Sequence, residues 1–149
     1  MSVRDSSPAR ILIIEDSLGD VVILRHALDQ HREAYELEVL ADGAEALAFV
    51  VAQRAASVEP RPCVIVLDLH LPKHDGRAVL EAIKAAPALS HIKVITLTTL
   101  ASPRDEEEVR ALGVRLYREK PLELDGWISL AGEILAVCRE SAKSEVLFA

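Results

Sequence analysis

The chain has 149 residues, of which half are hydrophobic but only 3% are aromatic, so we expect one domain with a largely aliphatic core. The formal net charge of −7 argues against nucleic acid as a direct partner, because binding to phosphates needs a basic surface. The N-terminus contains no apolar signal core and no apolar run approaches membrane-spanning length, so we expect a cytoplasmic protein without a membrane partner.

Short apolar runs alternate with amphipathic stretches along the chain. The predicted strands are Ile11–Ile14, Leu37–Leu40, Val64–Leu67, Ile92–Leu97 and Val114–Tyr117. Three of them are almost continuous Ile, Leu and Val, which is typical of parallel strands covered on both faces. A stripe of apolar residues at helical spacing follows each strand. The stripes are Val21, Leu24 and Leu28, then Ala44, Leu47 and Val51, then Val79 and Ile83, then Val109 and Leu112, and finally Trp127, Ala131, Ile134 and Cys138.

Cap and turn residues separate these elements. Ser102 and Pro103 predict the start of the fourth helix, and Gly113 predicts its end. Three aspartates are predicted to cap the helices that follow them. They are Asp42, Asp75 and Asp125. Five strand–helix units with short connections predict an α/β fold, in which a five-stranded doubly wound parallel sheet has helices on both faces. We expect loose segments in the first eight residues, at 55–62 and after Glu140.

Polar residues follow four of the predicted strands, where ligands bind in doubly wound folds. They are Glu15 and Asp16 after the first strand, Asp68 after the third, Thr98 after the fourth and Lys120 after the fifth. Three carboxylates in a small space require a cation, and hard oxygen ligands favour Mg²⁺ or Mn²⁺. A metal, a lysine and a hydroxyl suit a phosphoryl group, with a carboxylate as the nucleophile that forms an acyl phosphate.

Each of these residues also has a plainer interpretation. Asp68 could be a turn or cap residue, Thr98 a buried hydroxyl bonded to the backbone, and Lys120 a surface lysine. The coincidence of suitable chemistry at four strand ends favours a functional site over these separate explanations.

Histidines and cysteines offer weaker hypotheses. His70 and His74 flank the Asp68 loop, but zinc usually has three or four ligands and no further His or Cys cluster joins them. Cys63 and Cys138 are far apart in mostly apolar runs and form no CxxC pair. We predict two free, packed thiols, which fits a reducing compartment.

Four segments occur in a telling order: ILIIEDS, VIVLDLHLPKHDG, VITLTTL and YREKP. Together they resemble the receiver domains of two-component response regulators, over about residues 10–139 of a single domain spanning 1–149. Within that family, the segments IEDSLGDVVILRHAL, DLHLPKHDGRAVL and VITLTTL are most similar to the small single-domain regulators linked to bacterial phytochromes. The resemblance implies a flavodoxin-like sheet with strand order 2-1-3-4-5.

The resemblance implies a role for each residue around the metal. Asp68 is the phosphoacceptor and also a ligand of Mg²⁺. Asp16 is a direct metal ligand, and Glu15 holds the metal mostly through water. His70 contributes its backbone carbonyl, so coordination does not dictate its side chain.

The resemblance also implies which residues bind the phosphoryl group and which change conformation in response. Lys120 binds it, Thr98 is the switch hydroxyl, and Tyr117 takes the place of the switch aromatic, which turns inward when Thr98 moves. His70 and Leu100 depart from the usual pattern, since many relatives have Asn at the first position and a polar residue at the second. Both positions influence the phosphorylated lifetime in the family.

Only 29 residues follow Lys120, so we expect no DNA-binding or enzymatic output domain. The expected output is altered protein–protein binding, and the expected partner is a sensor histidine kinase, with a bacteriophytochrome as a candidate. The chain is not expected to be an enzyme beyond its own phosphorylation and dephosphorylation.

A homodimer is also predicted, through the last helix and the C-terminal tail. Trp127, Ile128, Ala131, Ile134, Leu135 and Cys138 cover more than one stripe, and Val146, Leu147 and Phe148 have no obvious place in the core.

Two alternative functions stay open at this point. The first is a pseudo-receiver, an interaction module of the same fold that is never phosphorylated. The second is a phosphatase of the haloacid dehalogenase type. In those enzymes the nucleophilic Asp comes first and a second Asp follows two residues later, whereas here an acidic pair precedes Asp68 and His70 stands at the second position.

Overall fold

The structure is a computed structural model that describes residues 7–53, 61–71 and 75–148, with side chains up to residue 140. Strands and helices alternate along the described chain. The strands are β1 (Ala9–Ile14), β2 (Tyr35–Leu40), β3 (Val64–Asp68), β4 (Lys93–Thr98) and β5 (Leu116–Glu119). The helices are α1 (Leu18–Asp29), α2 (Gly43–Ala52), α3 (Gly76–Ala85), α4 (Pro103–Ala111) and α5 (Leu124–Phe148).

All strand pairs are parallel and the strand order is β2-β1-β3-β4-β5, which confirms the predicted fold and order. In register, Ile14 of β1 pairs with Leu67 of β3, and Leu67 pairs with Thr96 of β4. The C-terminal ends of these three strands therefore lie side by side, and the residues that follow them meet at one edge of the sheet.

Alternating strand residues face two separate apolar layers, as the pleat of a strand requires. One layer joins the sheet to α1 and α5 and includes Ile11, Ile13, Val64, Val66, Ile95 and Leu97. The other joins the sheet to α2, α3 and α4 and includes Leu12, Ile14, Ile65, Leu67 and Val94. Covering on both faces explains why β1, β3 and β4 are almost continuously aliphatic.

Most predicted helix boundaries are confirmed. The side chains of Asp42, Asp75 and Ser102 accept hydrogen bonds from backbone N–H groups in the first turns of α2, α3 and α4. Gly113 has a φ of 88°, a left-handed conformation that suits glycine after a helix. The prediction for Asp125 is wrong, because α5 already begins at Leu124 and Asp125 lies in its first turn.

The last strand is shifted from its predicted position. β5 runs from Leu116 to Glu119 rather than from Val114 to Tyr117. Val114 donates its backbone N–H to the carbonyl of Val109 and therefore belongs to the turn that closes the C-terminal end of α4. Its apolar side chain is part of the α2–α3–α4 layer, which is why it resembled a strand residue.

The C-terminal segment differs from the predicted loose tail, because α5 continues to Phe148. The stretch from 133 to 148 contains neither Gly nor Pro, so nothing in it ends a helix. Five of the six α5 residues predicted to form a dimer face are buried within the chain against α1 and the sheet, and the sixth, Ile128, is partly buried there. That part of the argument for a homodimer is wrong, and Val146, Leu147 and Phe148 lie outside the residues whose side chains are described.

The two cysteines form a disulfide bond, which overturns the prediction of two free thiols. Cys63 directly precedes β3, and Cys138 lies on α5, so both reach the α1–α5 layer. Their Cα atoms are 5.1 Å apart, within the range that a disulfide spans. Because 75 residues separate them, only the packing of α5 on the sheet brings them together.

Among the described helices, none combines the length and the hydropathy that a membrane crossing requires.

Candidate functional site

Three carboxylates meet at the C-terminal edge of the sheet. Glu15 and Asp16 follow β1, and Asp68 is the last residue of β3. One oxygen of each lies within 4.8 Å of the others. Glu15 and Asp68 are buried, whereas Asp16 is exposed. The structure therefore brings together the acidic cluster that the strand ends predicted.

Lys120 enters the same site from the end of β5. Its Nζ lies 2.8 Å from Oε1 of Glu15 and 3.3 Å from Oδ2 of Asp68, and its side chain is only 13% exposed. Its backbone N–H donates to the carbonyl of Thr98 at 2.7 Å, which fixes the start of the loop after β5 against the end of β4. The predicted lysine is thus in direct contact with the predicted nucleophile.

Asp20 is a member of the site that sequence reasoning missed. Nζ of Lys120 donates to its Oδ2 at 2.8 Å, closer than to Asp68. Asp20 lies in the first turn of α1, where an acidic residue is explained by the helix dipole alone. Its position four residues after Asp16 was the available signal, since the first turn of α1 starts at the same edge of the sheet.

The pKa values follow from burial and charge. Burial raises the pKa of Glu15 from 4.5 to about 7, with Asp68 adding to the rise and Lys120 opposing it. Burial alone would lower the pKa of Lys120, but hydrogen bonds to Asp20 and Glu15 outweigh it and raise that pKa. Lys120 therefore keeps its positive charge, while Glu15 takes up a proton near neutral pH when no metal ion is bound.

These residues fit a divalent cation. All donors are carboxylate oxygens, which Mg²⁺ and Mn²⁺ prefer. Oε1 of Glu15 is buried and has Nζ of Lys120 2.8 Å away, and a carboxylate oxygen has a second lone pair that a metal could take. A zinc site gains no support, because Nε2 of His70 bonds to Thr98 and His74 lies outside the described residues.

The loop after β3 is held tightly against the site. The backbone N–H of His70 donates to Oδ1 of Asp68 at 2.9 Å, and that of Gly76 donates to the carbonyl of Leu69 at 3.2 Å. A Cβ at Gly76 would lie 2.5 Å from Cα of Leu69 and 2.8 Å from the carbonyl oxygen of Asp68. The start of α3 can therefore approach the phosphoacceptor loop only because residue 76 has no side chain.

Thr98 is fully buried at the end of β4. Its hydroxyl donates to the carbonyl of Leu100 at 3.2 Å and lies 3.0 Å from Nε2 of His70. The side chain of Leu100 is 76% exposed, so its contribution to this contact comes from its backbone.

Tyr117 differs from the predicted sequence of events. Its ring is already buried in the α2–α3–α4 layer, and its hydroxyl accepts from the backbone N–H of Ser102 at 3.1 Å. In this conformation no outward-facing ring has to turn inward when Thr98 moves. The bond to Ser102 instead ties β5 to the first turn of α4.

Comparison with known families agrees with this geometry. Residues 11–130 match the family described as the response regulator receiver domain. The chain is similar to the response regulator Rcp1 of a Synechocystis species, with 40% identity over 124 residues that cover 83% of this chain and 84% of Rcp1.

Solved structures give the same result. The phosphorylated cyanobacterial phytochrome response regulator RcpA superposes with a TM-score of 0.76 and 32% identity over 86% of this chain and 91% of that one. The Mn²⁺-bound form of Rcp1 superposes with a TM-score of 0.74 and 38% identity over 85% of this chain and 91% of that one.

Proposed function

Because the chain belongs to the response regulator receiver domain family, whose members accept a phosphoryl group, we propose that Asp68 is its phosphoacceptor. The observation that carries the proposal is the position of the Asp68 carboxylate. It closes the central strand β3, is only 3% exposed, has Nζ of Lys120 3.3 Å from its Oδ2, and lies within 4.8 Å of carboxylate oxygens of Glu15 and Asp16.

The proposed reaction is a transfer from phosphohistidine to aspartate. A carboxylate oxygen of Asp68 attacks phosphorus, the P–N bond to the donor imidazole breaks, and its electron pair stays with the imidazole, which takes up a proton. The product is an acyl phosphate on Asp68. Lys120 is placed to pair with a phosphoryl oxygen, since its Nζ already contacts Oδ2 of Asp68.

Glu15, Asp16 and Asp68 would hold Mg²⁺, together with the backbone carbonyl of His70. When bound, the cation offsets the repulsion between the anionic nucleophile and the anionic phosphoryl group. This charge compensation is needed because the single ammonium of Lys120 faces the carboxylates of Glu15 and Asp68 and also that of Asp20.

The proposed phosphoryl donor is a sensor histidine kinase, and a bacteriophytochrome is the candidate because phytochrome response regulators are among the chain's relatives. Leu18 and Val22 of α1 and Leu122 after β5 are exposed apolar residues. The contact between Lys120 and Asp20 brings these two segments together beside Asp68. We propose that this surface receives the kinase, in the cytoplasm, and that the output is altered protein binding.

Phosphorylation by a small molecule tests the proposal and separates it from the pseudo-receiver alternative. Acetyl phosphate with Mg²⁺ should add the mass of one phosphoryl group to the wild type, and Asp68→Asn should gain none. An unmodified wild type would favour the pseudo-receiver, and an Asp68→Asn variant that is phosphorylated as readily as the wild type would show that the nucleophile is misassigned. The match to receiver domains argues against a haloacid dehalogenase-type phosphatase, which turnover of a phosphate ester would revive.

Self-association is proposed only through the tail residues 146–148, since the apolar face of α5 is buried. Sedimentation at micromolar concentration, with and without beryllofluoride, tests it. A monomer in both conditions would end this part of the proposal.

A further inference from the structure

The direction of the hydrogen bond between His70 and Thr98 can be worked out from the hydroxyl of Thr98. A hydroxyl has one proton to donate. That proton goes to the carbonyl of Leu100 at 3.2 Å, so the oxygen must accept from Nε2 of His70, 3.0 Å away. The imidazole therefore carries a proton on Nε2, as it does both in that neutral tautomer and in the imidazolium.

His70 bonds to both of the groups that a phosphoryl group engages. Its backbone N–H donates to Oδ1 of Asp68 at 2.9 Å, and its side chain donates to the hydroxyl of Thr98, 28 residues further along the chain. The side chain of His70 is itself exposed, whereas that of Thr98 is fully buried. The ring thus lies at the surface over the hydroxyl, where its departure disturbs no core packing.

The ring of the other residue predicted to act as a switch already faces the interior of the protein. Tyr117 is buried and its hydroxyl is bonded to Ser102. In the described residues the hydroxyl of Thr98 makes hydrogen bonds with His70 and Leu100 and none with Asp68. Of the two switch residues, Thr98 is therefore the one that has to change its contacts, because its single proton must leave the carbonyl of Leu100 before it can be donated to a phosphoryl group on Asp68.

We propose that His70 is a positioning residue that retains the Thr98 hydroxyl in its unphosphorylated arrangement, and that movement of Thr98 toward a phosphoryl group on Asp68 breaks the His70–Thr98 hydrogen bond. This inference rests on the proposed function of Asp68. The bond stabilises the unphosphorylated arrangement, so its loss makes the phosphorylated arrangement easier to reach. Because a single hydrogen bond has a modest net value, the expected change is roughly fivefold in an equilibrium constant.

Two substitutions of His70 distinguish the effect of its hydrogen bond to Thr98 from the effect of removing the imidazole ring. The amide nitrogen of glutamine can take the place of Nε2 of histidine, whereas that of asparagine reaches only as far as Nδ1. With Mg²⁺ present, binding of the phosphoryl mimic beryllofluoride is followed by ¹⁹F NMR. His70→Asn should lower the beryllofluoride midpoint about fivefold, and His70→Gln should retain the wild-type midpoint. An unchanged midpoint in His70→Asn overturns the proposal.

A double-mutant cycle shows whether His70 acts through Thr98. In a Thr98→Ala background, His70→Asn should leave the midpoint unchanged. If the full shift persists there, His70 acts on the bound anion directly and the proposal is wrong.

A measurement without any anion gives an independent check. ¹H–¹⁵N correlation of the imidazole in metal-free wild-type protein should show a proton on Nε2, and that signal should change in Thr98→Ala. An Nε2 proton signal that is identical in the wild type and in Thr98→Ala would show that the ring is not bonded to Thr98 and would refute the proposal. A wild type that binds no beryllofluoride, whatever its imidazole spectrum, would refute the proposed function of Asp68 and the role of His70 with it.

Discussion

Affinity for Mg²⁺ should depend on pH around neutrality, because a proton and the metal compete for Glu15. Burial raises the pKa of this carboxyl to about 7, and the same carboxyl is one of the three acidic groups that lie within 4.8 Å of one another. A surface carboxylate would be ionised throughout this range and would show no such competition.

The magnitude follows from the pKa. A carboxyl with a pKa of about 7 is about 90% ionised at pH 8 and about 10% ionised at pH 6. Binding that requires the ionised form should therefore weaken about tenfold between these pH values, which corresponds to about 1.4 kcal/mol. At pH 6, binding of each metal ion should also release about 0.9 proton.

Isothermal titration calorimetry measures both effects, with proton release obtained from buffers of different ionisation enthalpy. Glu15→Gln is the matched control, since it keeps the shape of the side chain but cannot titrate. It should bind Mg²⁺ more weakly at pH 8 and show no dependence on pH between 6 and 8. Equal Mg²⁺ affinities of the wild type at pH 6 and pH 8 would refute the reasoning. A Glu15→Gln variant whose Mg²⁺ affinity depends on pH as strongly as that of the wild type would refute it too.

Folding stability without Mg²⁺ should show the same linkage. The folded-state pKa of Glu15 lies above its ordinary value of 4.5, so the folded state binds more protons than the unfolded state between pH 4.5 and about 7. The contribution of Glu15 to the free energy of unfolding therefore decreases as pH rises through this window, by about 3 kcal/mol in total. In urea unfolding, Glu15→Gln should be the more stable protein at pH 8 and similar to the wild type at pH 5. A wild type that is at least as stable as Glu15→Gln at pH 8 would contradict this.

Three further predictions concern packing, the disulfide and the kinase surface. Gly76→Ala should destabilise the protein by about 1–3 kcal/mol or more and slow phosphorylation by acetyl phosphate, because the new Cβ would overlap the backbone of Leu69. Reduction of Cys63–Cys138 should lower the free energy of unfolding by up to about 4 kcal/mol, from the 75-residue separation that the bond closes. Leu122→Glu should slow phosphoryl transfer from the kinase but leave phosphorylation by acetyl phosphate unchanged. Leu122 is fully exposed and belongs to the proposed kinase surface, not to the cluster around Asp68.

Each of these has a matched control. A Cβ at Gly19 would make only ordinary van der Waals contact, with the nearest atom at 3.9 Å, so Gly19→Ala should unfold within about 0.5 kcal/mol of the wild type. If both glycine variants unfold alike, close approach at Gly76 is not the constraint. Cys63→Ala should be insensitive to reductant, and a wild type equally insensitive would count against the disulfide. A loss of acetyl phosphate reactivity in Leu122→Glu would place this residue in the site rather than on the docking surface.

The sequence was sufficient for the sheet because its central strands are buried on both faces. Ile11–Ile14 and Val64–Leu67 are fully aliphatic, which is typical of parallel strands covered on both faces. The position of β5 was misjudged because its residues, Leu116–Glu119, form no such run, while the apolar Val114 completes the end of α4.

The core of the site was predictable for a related reason. In a parallel sheet, residues that follow neighbouring strands meet at one edge, so Glu15, Asp68 and Lys120 could be placed together without any coordinates. Contacts that depend on how a helix packs were not predictable in this way. The disulfide needs the exact position of α5 on the sheet, and nothing local in the sequence specifies it.

The two side chains that would bind the phosphoryl group, Lys120 and Thr98, already make hydrogen bonds that the sequence did not predict. Lys120 is hydrogen-bonded to Asp20, and Thr98 to His70. An acyl phosphate on Asp68 therefore has to compete with hydrogen bonds that these side chains already make. The free energy of the conformational change is the difference between the bonds formed with the phosphoryl group and the bonds lost. The residues at the strand ends define the chemistry of the site. Asp20 and His70 set the free energy that the phosphoryl group must supply, because their hydrogen bonds to Lys120 and Thr98 hold the unphosphorylated arrangement.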